Sequence, residues 1–293
     1  MGGRVSALRQ KGQEPQGLLA LQYGLADRLV FSKVKARFGG RLKFFISGGA
    51  PLAKEIAQFF HAADILILEG YGLTETTAAT NVNRPTAYRF GTVGPAIPGI
   101  EMKIAADGEI LMRGRNILRE YYKRPQDTKE VLEPDGWFHS GDIGEFDTDG
   151  FLRITDRKKD IIVTAGGKNV APQNIENLLK QATCISQAMV HGDKRKFLTA
   201  LVTLDADVMK QWAADHGAAA GPGLEKDTRV VAWVQSEVDK VNARLASYET
   251  IKKFAILEAD FTIDGGDLTP TLKVKRKVVT QKHQALLDSF YAG

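Results

Sequence analysis

The sequence predicts a chain of mixed α/β and α+β class, with a parallel-sheet segment, a small antiparallel β module and a small α+β domain. Three patterns predict this: strand–helix–strand over 42–68, short β segments separated by glycine and proline from about 90, and mixed helices and strands after 160. With 293 residues, 43% of them hydrophobic, the chain can bury the cores of two domains. We place these domains at 1–156 and 157–293.

The first segment, to about residue 89, opens with a helix over 16–38. Leu18, Leu21, Leu25 and Leu29 recur there at helical spacing, which predicts a core-facing side. Strands over 42–46 and 65–68 then flank a second helix, for which Pro51 suits the first turn. The buried face of this second helix is predicted to comprise Leu52, Ile56, Phe59, Phe60 and Ala63.

Both predicted strands lead into glycine-rich turns, with the sequences Ser47-Gly48-Gly49-Ala50-Pro51 and Glu69-Gly70-Tyr71-Gly72-Leu73-Thr74-Glu75-Thr76-Thr77. Because the carboxyl ends of neighbouring parallel strands share one sheet edge, we expect a ligand crevice there. An aromatic ring, threonine hydroxyls and an acid suit a nucleotide with its metal ion. The alternative is an ordinary turn in which Tyr71 is packed and Glu75 is solvated.

The β module, over about 90–156, is predicted from a hairpin in which 101–104 and 109–112 flank the tight turn Asp107-Gly108. Further along, Asp142 follows a Ser-Gly turn, where it could bind a ribose diol or merely cap the turn. Residues 147–150 begin like a calcium loop, but their glycine falls two places early. We therefore predict no calcium site.

The charge run at 156–160 marks the domain boundary, and we predict a hinge at 157–160. Beyond it we expect a helix entered through Pro172, strands at 185–190, 197–204 and 254–257, and a long amphipathic helix over 231–245. Near the end, a proline-threonine loop presents Lys273 just before a basic helix.

Composition excludes several classes of protein. No apolar run approaches the ~20 residues of a membrane span, and the single cysteine, Cys184, excludes an internal disulfide and fits a reducing compartment. The scattered histidines give no zinc spacing, and the basic stretch 273–277 lacks the interleaved aromatic residues of single-strand nucleic-acid binding. The net charge of +5 mildly favours anionic ligands or a membrane surface. We expect no nucleic-acid partner and a cytoplasmic location, with peripheral contact at the inner membrane face left open.

Five motifs occur in one order along the chain: SGGAP at 47–51, EGYGLTETT at 69–77, GWFHSGDIG at 136–144, FLRITDRKKDIIVTAGGKNVAP at 151–172 and LTPTLKVKRK at 268–277. In this order they resemble the adenylate-forming superfamily, and within it the long-chain fatty acid–CoA ligase (acyl-CoA synthetase) group. The resemblance covers the chain from about residue 1 to its end. It implies the C-terminal part of a large AMP-binding domain, followed by a mobile small domain.

The resemblance implies an ATP/AMP site, and the residues that it assigns to this site are Gly48, Gly49, Ala50, Glu69, Gly70, Tyr71, Gly72, Thr74, Asp142, Arg157 and Lys273. Gly48, Gly49 and Ala50 would line the adenine and acyl region. In that arrangement, Tyr71 would stack on adenine, while Asp142 and Arg157 would hold the ribose.

The catalytic residues implied are Lys273, Thr74 and Glu75. Lys273 would meet the α-phosphate and the attacking carboxylate, with Lys275 and Lys277 as alternatives. Thr74 would bond the phosphates, and Glu75 would carry Mg²⁺. The remaining implied assignments are Lys159 as the hinge, and Gly166 and Gly167 as the lining of the CoA path.

The implied substrates are a fatty acid, ATP and CoA. The fatty carboxylate would attack ATP to give acyl-adenylate and pyrophosphate, and the CoA thiol would then displace AMP. One family feature is absent, the Ser/Thr/Gly-rich loop ending in Pro-Lys-Gly that cradles the β- and γ-phosphates. We therefore expect a missing N-terminal half of the large domain and no activity of this chain alone.

Two alternative functions are an acyl-adenylate ligase that serves a carrier protein and a non-catalytic AMP-binding or interaction module. The acyl chain length and the oligomeric state stay open.

Overall fold

The computed structural model describes residues 2–219, 221–270 and 272–292, and it divides into two compact units. The first unit ends at Lys158 and the second begins at Lys159, inside the 157–160 range predicted for the hinge. Parallel and antiparallel strands occur together with helices, which confirms the predicted fold class. No helix in the described ranges is long and apolar enough to cross a membrane.

The first unit contains the following helices and strands. Its helices are α1 (Gly2–Gln10), α2 (Gly17–Ala26), α3 (Ser32–Arg37), α4 (Lys54–Ala62) and α5 (Pro125–Val131). Its strands are β1 (Phe45–Ser47), β2 (Ile67–Leu73), β3 (Ala78–Val82), β4 (Ile100–Ile104), β5 (Glu109–Gly114), β6 (Phe138–Phe146) and β7 (Leu152–Arg157). A π-helical turn, Asp27–Phe31, joins α2 to α3.

The predicted βαβ segment is present, but its second strand is longer than the sequence suggested. β1 and β2 pair in parallel, with Ser47 opposite Glu69. The turn expected directly after residue 68 is wrong, because β2 runs on to Leu73 and pairs antiparallel with β3. Gly72 permits this hairpin, since a Cβ atom there would lie 1.8 Å from the Ala78 carbonyl oxygen.

The prediction for α4 is wrong about the residue at which the helix begins and partly wrong about which residues are buried. The helix begins at Lys54, not at Pro51, and the side chains of Ile56 and Phe59 are each 44% exposed. Its buried residues are instead the small Ala57 and Ala62, which allow α1 to approach closely. The helix α1 was not predicted, because this stretch is short and has few apolar residues.

The helix predicted over 16–38 is present as α2, the π-helical turn and α3, but its leucine side is not core-facing. Leu18, Leu21, Leu25 and Leu29 are between 54% and 73% exposed, which makes that part of the prediction wrong for the described chain. Helical spacing identifies which side of a helix is apolar, but it does not supply the surface that covers it. An apolar stripe of this size favours association with other apolar surfaces.

We expect the purified chain to self-associate through this leucine stripe, because burying it removes apolar surface from water. The double variant Leu21→Lys/Leu25→Lys should shift size-exclusion light scattering toward the monomer. Val231→Lys is the matched control, because Val231 is an exposed residue on a helix of the second unit. A wild-type chain that stays monomeric at high concentration would contradict the expectation.

The β module forms an antiparallel sheet in the order β4-β5-β6-β7, and its predicted hairpin is confirmed. Asp142 lies within β6, not after a turn, so that local prediction is wrong. The strand accommodates Gly141 at a φ of +70° and is irregular between Ile143 and Gly144. Ile110, Met112 and Leu152 form the module's core together with Tyr71 of β2, which holds β2 against this sheet.

The second unit contains the following helices and strands. Its helices are α6 (Pro172–Leu179), α7 (Ala206–His216), α8 (Thr228–Asn242), α9 (Arg276–Lys282) and α10 (Gln284–Ser289). Its strands are β8 (Ile162–Val163), β9 (Asn169–Val170), β10 (Ile185–His191), β11 (Leu198–Leu204) and β12 (Ile251–Ile256). β11 pairs antiparallel with β10 and parallel with β12.

The predictions for the second unit are mostly confirmed. α6 begins at Pro172, and its Ile175 and Leu179 are buried. In α8 the buried face comprises Val230, Val234, Val238 and Val241. Val231, which the sequence placed on this face, is exposed. The helix α7 was not predicted, although Asp205 accepts a hydrogen bond from the Val208 N–H as its N-cap.

Candidate active site

Three predicted nucleotide-binding residues meet in the first unit: Tyr71 of β2, Asp142 of β6 and Arg157 of β7. The Tyr71 hydroxyl donates a hydrogen bond of 2.6 Å to Asp142 Oδ2. Arg157 Nε lies 3.3 Å from Asp142 Oδ1. The two charged residues stand opposite each other across the β6–β7 ladder, so the sheet register alone fixes their spacing.

Burial shapes the chemistry of this cluster. Asp142 is only 4% exposed, and its carboxylate contacts two side chains from other strands, which a simple turn cap would not require. Burial raises the pKa of Tyr71, and the neighbouring Asp142 carboxylate raises it further. The Tyr71 hydroxyl therefore stays neutral and donates its proton in the hydrogen bond to Asp142. The stacking of its ring on adenine stays a prediction.

Glu69, which lies two residues before Tyr71 in β2, is a second buried acid near this cluster. It is 8% exposed, and burial raises its pKa to about 7, although the backbone N–H groups of Leu52 and Gly91 donate to the carboxylate. Its Oε2 atom has no hydrogen-bond partner within the part of the chain that the structure describes. A proton on this oxygen would remove the cost of a buried charge.

The two glycine-rich stretches lie side by side, as the sequence predicted for a shared sheet edge. A Cβ on Gly48 would stand 3.3 Å from the Gly70 carbonyl oxygen, so glycine keeps the two backbones close. Gly48, Gly49 and Ala50 are all exposed, and Gly49 has a φ of +82°. Exposed backbone next to the end of β1 is open to a flat ligand.

Thr74 and Glu75 lie in the 3₁₀ turn between β2 and β3. Thr74 is exposed, whereas the Glu75 Oε1 atom accepts a hydrogen bond of 2.8 Å from the Tyr121 hydroxyl. Burial and this contact raise the pKa of Tyr121 to about 12, so the phenol stays a donor. No group of three or more metal-ligating side chains occurs among residues 2–219, 221–270 and 272–292. The binding of Mg²⁺ by Glu75 stays a prediction.

Thr76, which the sequence grouped with the functional hydroxyls, instead closes the turn. Its hydroxyl accepts a hydrogen bond from the Leu73 N–H and lies 2.8 Å from the Ala78 carbonyl oxygen, to which it donates. Asn116 supports the same turn, because its side-chain amide donates to the Thr76 carbonyl oxygen at 2.9 Å. Nothing in the sequence around Asn116 or Tyr121 indicated that these residues reach the 74–76 turn.

The predicted hinge and CoA-path residues lie at the start of the second unit. Lys159 is exposed in a short 3₁₀ turn, Lys158–Asp160. Gly166 and Gly167 form the exposed turn between β8 and β9, where Gly167 has a φ of +72°. The Gly167 N–H donates to the Thr164 carbonyl oxygen at 2.8 Å, which tightens the turn.

Lys273 lies in a closed loop of the second unit. The Lys273 N–H donates to the Thr269 hydroxyl at 3.0 Å, and the Thr269 N–H donates to the Lys273 carbonyl oxygen at 2.8 Å. The two alternative lysines are placed differently, because Lys275 precedes α9 as its N-cap and Lys277 is part of that helix. Of the three, only Lys273 is within the loop itself.

An ion pair that the sequence analysis missed anchors this loop to the core of the second unit. Arg276, the first residue of α9, contacts both carboxylate oxygens of Glu176 at 2.7 and 2.6 Å. Glu176 is buried on α6, and its Oε1 atom also accepts the Val190 N–H at 2.7 Å. A bidentate pair of this kind fixes direction as well as distance. The start of α9, and with it the end of the lysine loop, is thereby held in place.

Comparison with known proteins follows the same division of the chain. The sequence profile of the AMP-binding enzyme family matches residues 13–122, and that of the AMP-binding enzyme C-terminal domain matches residues 159–293. A long-chain-fatty-acid–CoA ligase of Mycobacterium bovis is 43% identical over 94% of this chain and 46% of its own length. A long-chain-fatty-acid–CoA ligase of Gallus gallus is 38% identical over 93% of this chain and 39% of its own length.

Solved structures give the same fold. The adenylation domain of a carboxylate reductase from Mycobacterium chelonae superposes with a TM-score of 0.75 at 23% identity, over all of this chain and 45% of that one. The ATP-bound MatB protein of Rhodopseudomonas palustris gives a TM-score of 0.63 at 27% identity, over 84% of this chain and 46% of that one.

The fold and the two matched profiles define an AMP-binding class of protein. The chain belongs to the AMP-binding enzyme family, the adenylate-forming superfamily. It spans about half the length of the curated relatives that it matches.

Proposed function

We propose that this chain supplies the ribose-binding, metal-binding and lysine elements of a long-chain fatty acid–CoA ligase. The observation that carries the proposal is the Tyr71–Asp142–Arg157 cluster, in which a buried carboxylate is fixed by a phenol and a guanidinium. The identity of 43% to a curated long-chain-fatty-acid–CoA ligase supports the choice of acid and of CoA as acceptor. In the reaction, the fatty carboxylate would attack the α-phosphate of ATP, which forms acyl-adenylate and releases pyrophosphate. The thiol of CoA would then attack the acyl carbon and displace AMP.

In this mechanism, the ribose hydroxyls donate to the Asp142 carboxylate, which contacts with Arg157 and Tyr71 hold in orientation. The backbone at Gly48 and Gly70 leaves room for the flat adenine base. The Thr74 hydroxyl donates to a phosphate oxygen. Lys273 places its positive charge where two anions, carboxylate and α-phosphate, must approach each other. Hydrogen bonds between Thr269 and the Lys273 backbone close the loop that carries this lysine.

Glu75 is the residue that would hold Mg²⁺, since its carboxylate is part-exposed and supported by Tyr121. The ion supplies neutralisation of phosphate charge when it is bound. Gly166 and Gly167 present exposed backbone without side chains, which suits the passage of the narrow pantetheine arm of CoA. A hinge at Lys159 would let the second unit present Lys273 and this glycine turn in successive half-reactions.

The proposal predicts that Asp142→Ala weakens AMP binding by the whole 293-residue chain at least about tenfold, because a charge-assisted hydrogen bond contributes roughly 1.5–3 kcal/mol. Isothermal titration with AMP measures the effect. Asp149→Ala is the matched control, since Asp149 is an exposed carboxylate of the same β module. Asp142→Asn keeps the volume and separates lost charge from lost packing.

Equal AMP affinity in Asp142→Ala and in the control, together with a lower melting temperature, would make Asp142 a structural residue only. Absence of saturable AMP binding by the wild-type chain at millimolar concentration would overturn the nucleotide-binding role of this chain. An adenylate that a full-length ligase with this sequence passes to a carrier protein instead of CoA would overturn the choice of acceptor.

A further inference from the structure

The side chain of Glu109 connects two parts of the first unit that the sequence does not connect. Glu109 begins β5, directly after the Asp107-Gly108 turn, and is 4% exposed. Its Oε1 atom accepts the Gly141 N–H at 2.9 Å. Its Oε2 atom lies 2.8 Å from Lys158 Nζ and 3.0 Å from His139 Nδ1.

Both ends of this connection have a place in the proposed function. Gly141 immediately precedes Asp142, so the Glu109 carboxylate fixes the backbone that presents the ribose-binding acid. Lys158 is the last residue of the first unit, immediately before the predicted hinge residue Lys159. Lys158 Nζ also lies 2.7 Å from Asp107 Oδ2, so two carboxylates hold it.

We call the contacts of the Glu109 carboxylate with the Gly141 N–H and with Lys158 the clamp. The negative charge of Glu109 that the clamp needs is present at neutral pH. Burial alone would raise the pKa of Glu109, but contacts from His139, Lys158 and the Gly141 N–H outweigh burial and leave the pKa below its usual value. Contacts with the carboxylates of Asp107 and Glu109 raise the pKa of Lys158, so the ammonium also stays charged. A buried carboxylate with three donors is costly to leave without them.

We propose that Glu109 is a positioning residue that holds the Asp142 backbone and Lys158 in one rigid piece, so that movement between the units begins only at Lys159. The inference rests on the proposed function for the meaning of both ends, but the clamp itself is a property of this chain. The clamp keeps Lys158 in place with the first unit. One carboxylate, that of Glu109, thereby couples the ribose-binding strand β6 to the hinge.

A second ion pair in the same module provides the comparison. Glu101 and Arg113 join neighbouring strands β4 and β5, and Arg113 Nη2 lies 2.6 Å from Glu101 Oε2. Glu101 is largely exposed, and its pair reaches neither Gly141 nor the hinge. Glu101→Gln therefore removes an ion pair from the β module without touching the clamp.

The experiment is limited trypsin digestion of the full chain, followed by mass spectrometry. Trypsin must draw the Lys158 side chain out of its ion pairs, so the clamp protects the bond after Lys158. Glu109→Gln should accelerate cleavage after Lys158 about fivefold relative to cleavage after the exposed Arg119, because a partly exposed ion pair contributes up to roughly 1 kcal/mol. Lys158→Arg keeps charge and remains cleavable, so it should stay protected.

AMP titration of the same variants separates the two functions of Glu109. Glu109→Gln keeps an acceptor for the Gly141 N–H and should bind AMP like the wild type, whereas Glu109→Ala should bind it several-fold more weakly. A Glu109→Gln chain cut after Lys158 no faster than Glu101→Gln overturns the clamp. Equal AMP affinity of Glu109→Ala and wild type overturns the coupling to Asp142. A wild-type chain without AMP binding overturns the proposed function, while the cleavage ratio still decides the clamp.

Discussion

Glu69→Gln should stabilise the first unit above neutral pH and leave it almost unchanged near pH 4.5. The folded-state pKa of Glu69 is about 7, against an ordinary value of 4.5, because the side chain is buried. The folded chain therefore retains a proton that the unfolded chain has lost, and its stability falls as the pH rises from 4.5 toward 7. Over this range the wild type should lose about 3 kcal/mol relative to the variant, and the difference should stay constant above it.

Hydrogen exchange of the β2–β3 segment at pH 4.5 and pH 8 measures this difference locally, so unfolding of the second unit does not obscure it. The ratio of variant to wild-type exchange at each pH cancels the intrinsic pH dependence. Glu130→Gln is the matched control, since Glu130 is an exposed acid of α5. Equal protection of Glu69→Gln and wild type at pH 8 would mean that the Glu69 carboxylate is not desolvated.

The elements with strong local signals were predictable from the sequence. The Asp107-Gly108 turn between alternating segments specified the β4–β5 hairpin, and Pro172 specified the start of α6, because these residues constrain the backbone where they stand. The valine spacing of α8 also identified the helix, although it misplaced Val231. A shift of one residue at the edge of an apolar face is within what spacing can resolve.

The elements that depend on distant partners were not predictable. β2 continues through Gly70 and Gly72 because β3 pairs with it, and glycine on its own favours a turn. The leucines of α2 are exposed and Ala57 is buried because the surfaces around each helix, not the spacing, decide burial. Local sequence contains no information about such surfaces.

The same distinction applies to the candidate site. The sequence motifs supplied Tyr71, Asp142 and Arg157, and the structure brings these three together. The motifs did not identify Glu109, Tyr121 or Glu176, which support the motif residues from other elements. These supporting side chains act through contacts over 30 residues or more along the chain, as between Glu109 and Gly141 or Glu176 and Arg276. They form a second set of positions at which substitution should change function without touching a ligand.

The largest effect on activity is expected for Lys273→Ala, measured in a full-length ligase that contains this sequence. Formation of acyl-adenylate should slow by on the order of 100-fold, or about 3 kcal/mol, as for loss of one preorganised donor to a developing anion. Transfer of the acyl group from supplied acyl-adenylate to CoA should change little, because the thiol attacks the neutral acyl carbon and the α-phosphate is not the site of attack in that step. ATP–pyrophosphate exchange measures the first step, and ATP-independent thioester formation from supplied acyl-adenylate measures the second.

Lys275→Ala and Lys277→Ala are the matched controls, since both residues are exposed and lie within four positions of Lys273. Lys275 precedes α9 and Lys277 belongs to it, so neither shares the loop that the Thr269–Lys273 hydrogen bonds close. Both variants should retain adenylation within a few-fold of the wild type. A larger loss in either control than in Lys273→Ala would move the catalytic role to that lysine. Equal loss of both half-reactions in Lys273→Ala would show that the loop had been damaged, since a residue acting only on the first step leaves the second intact.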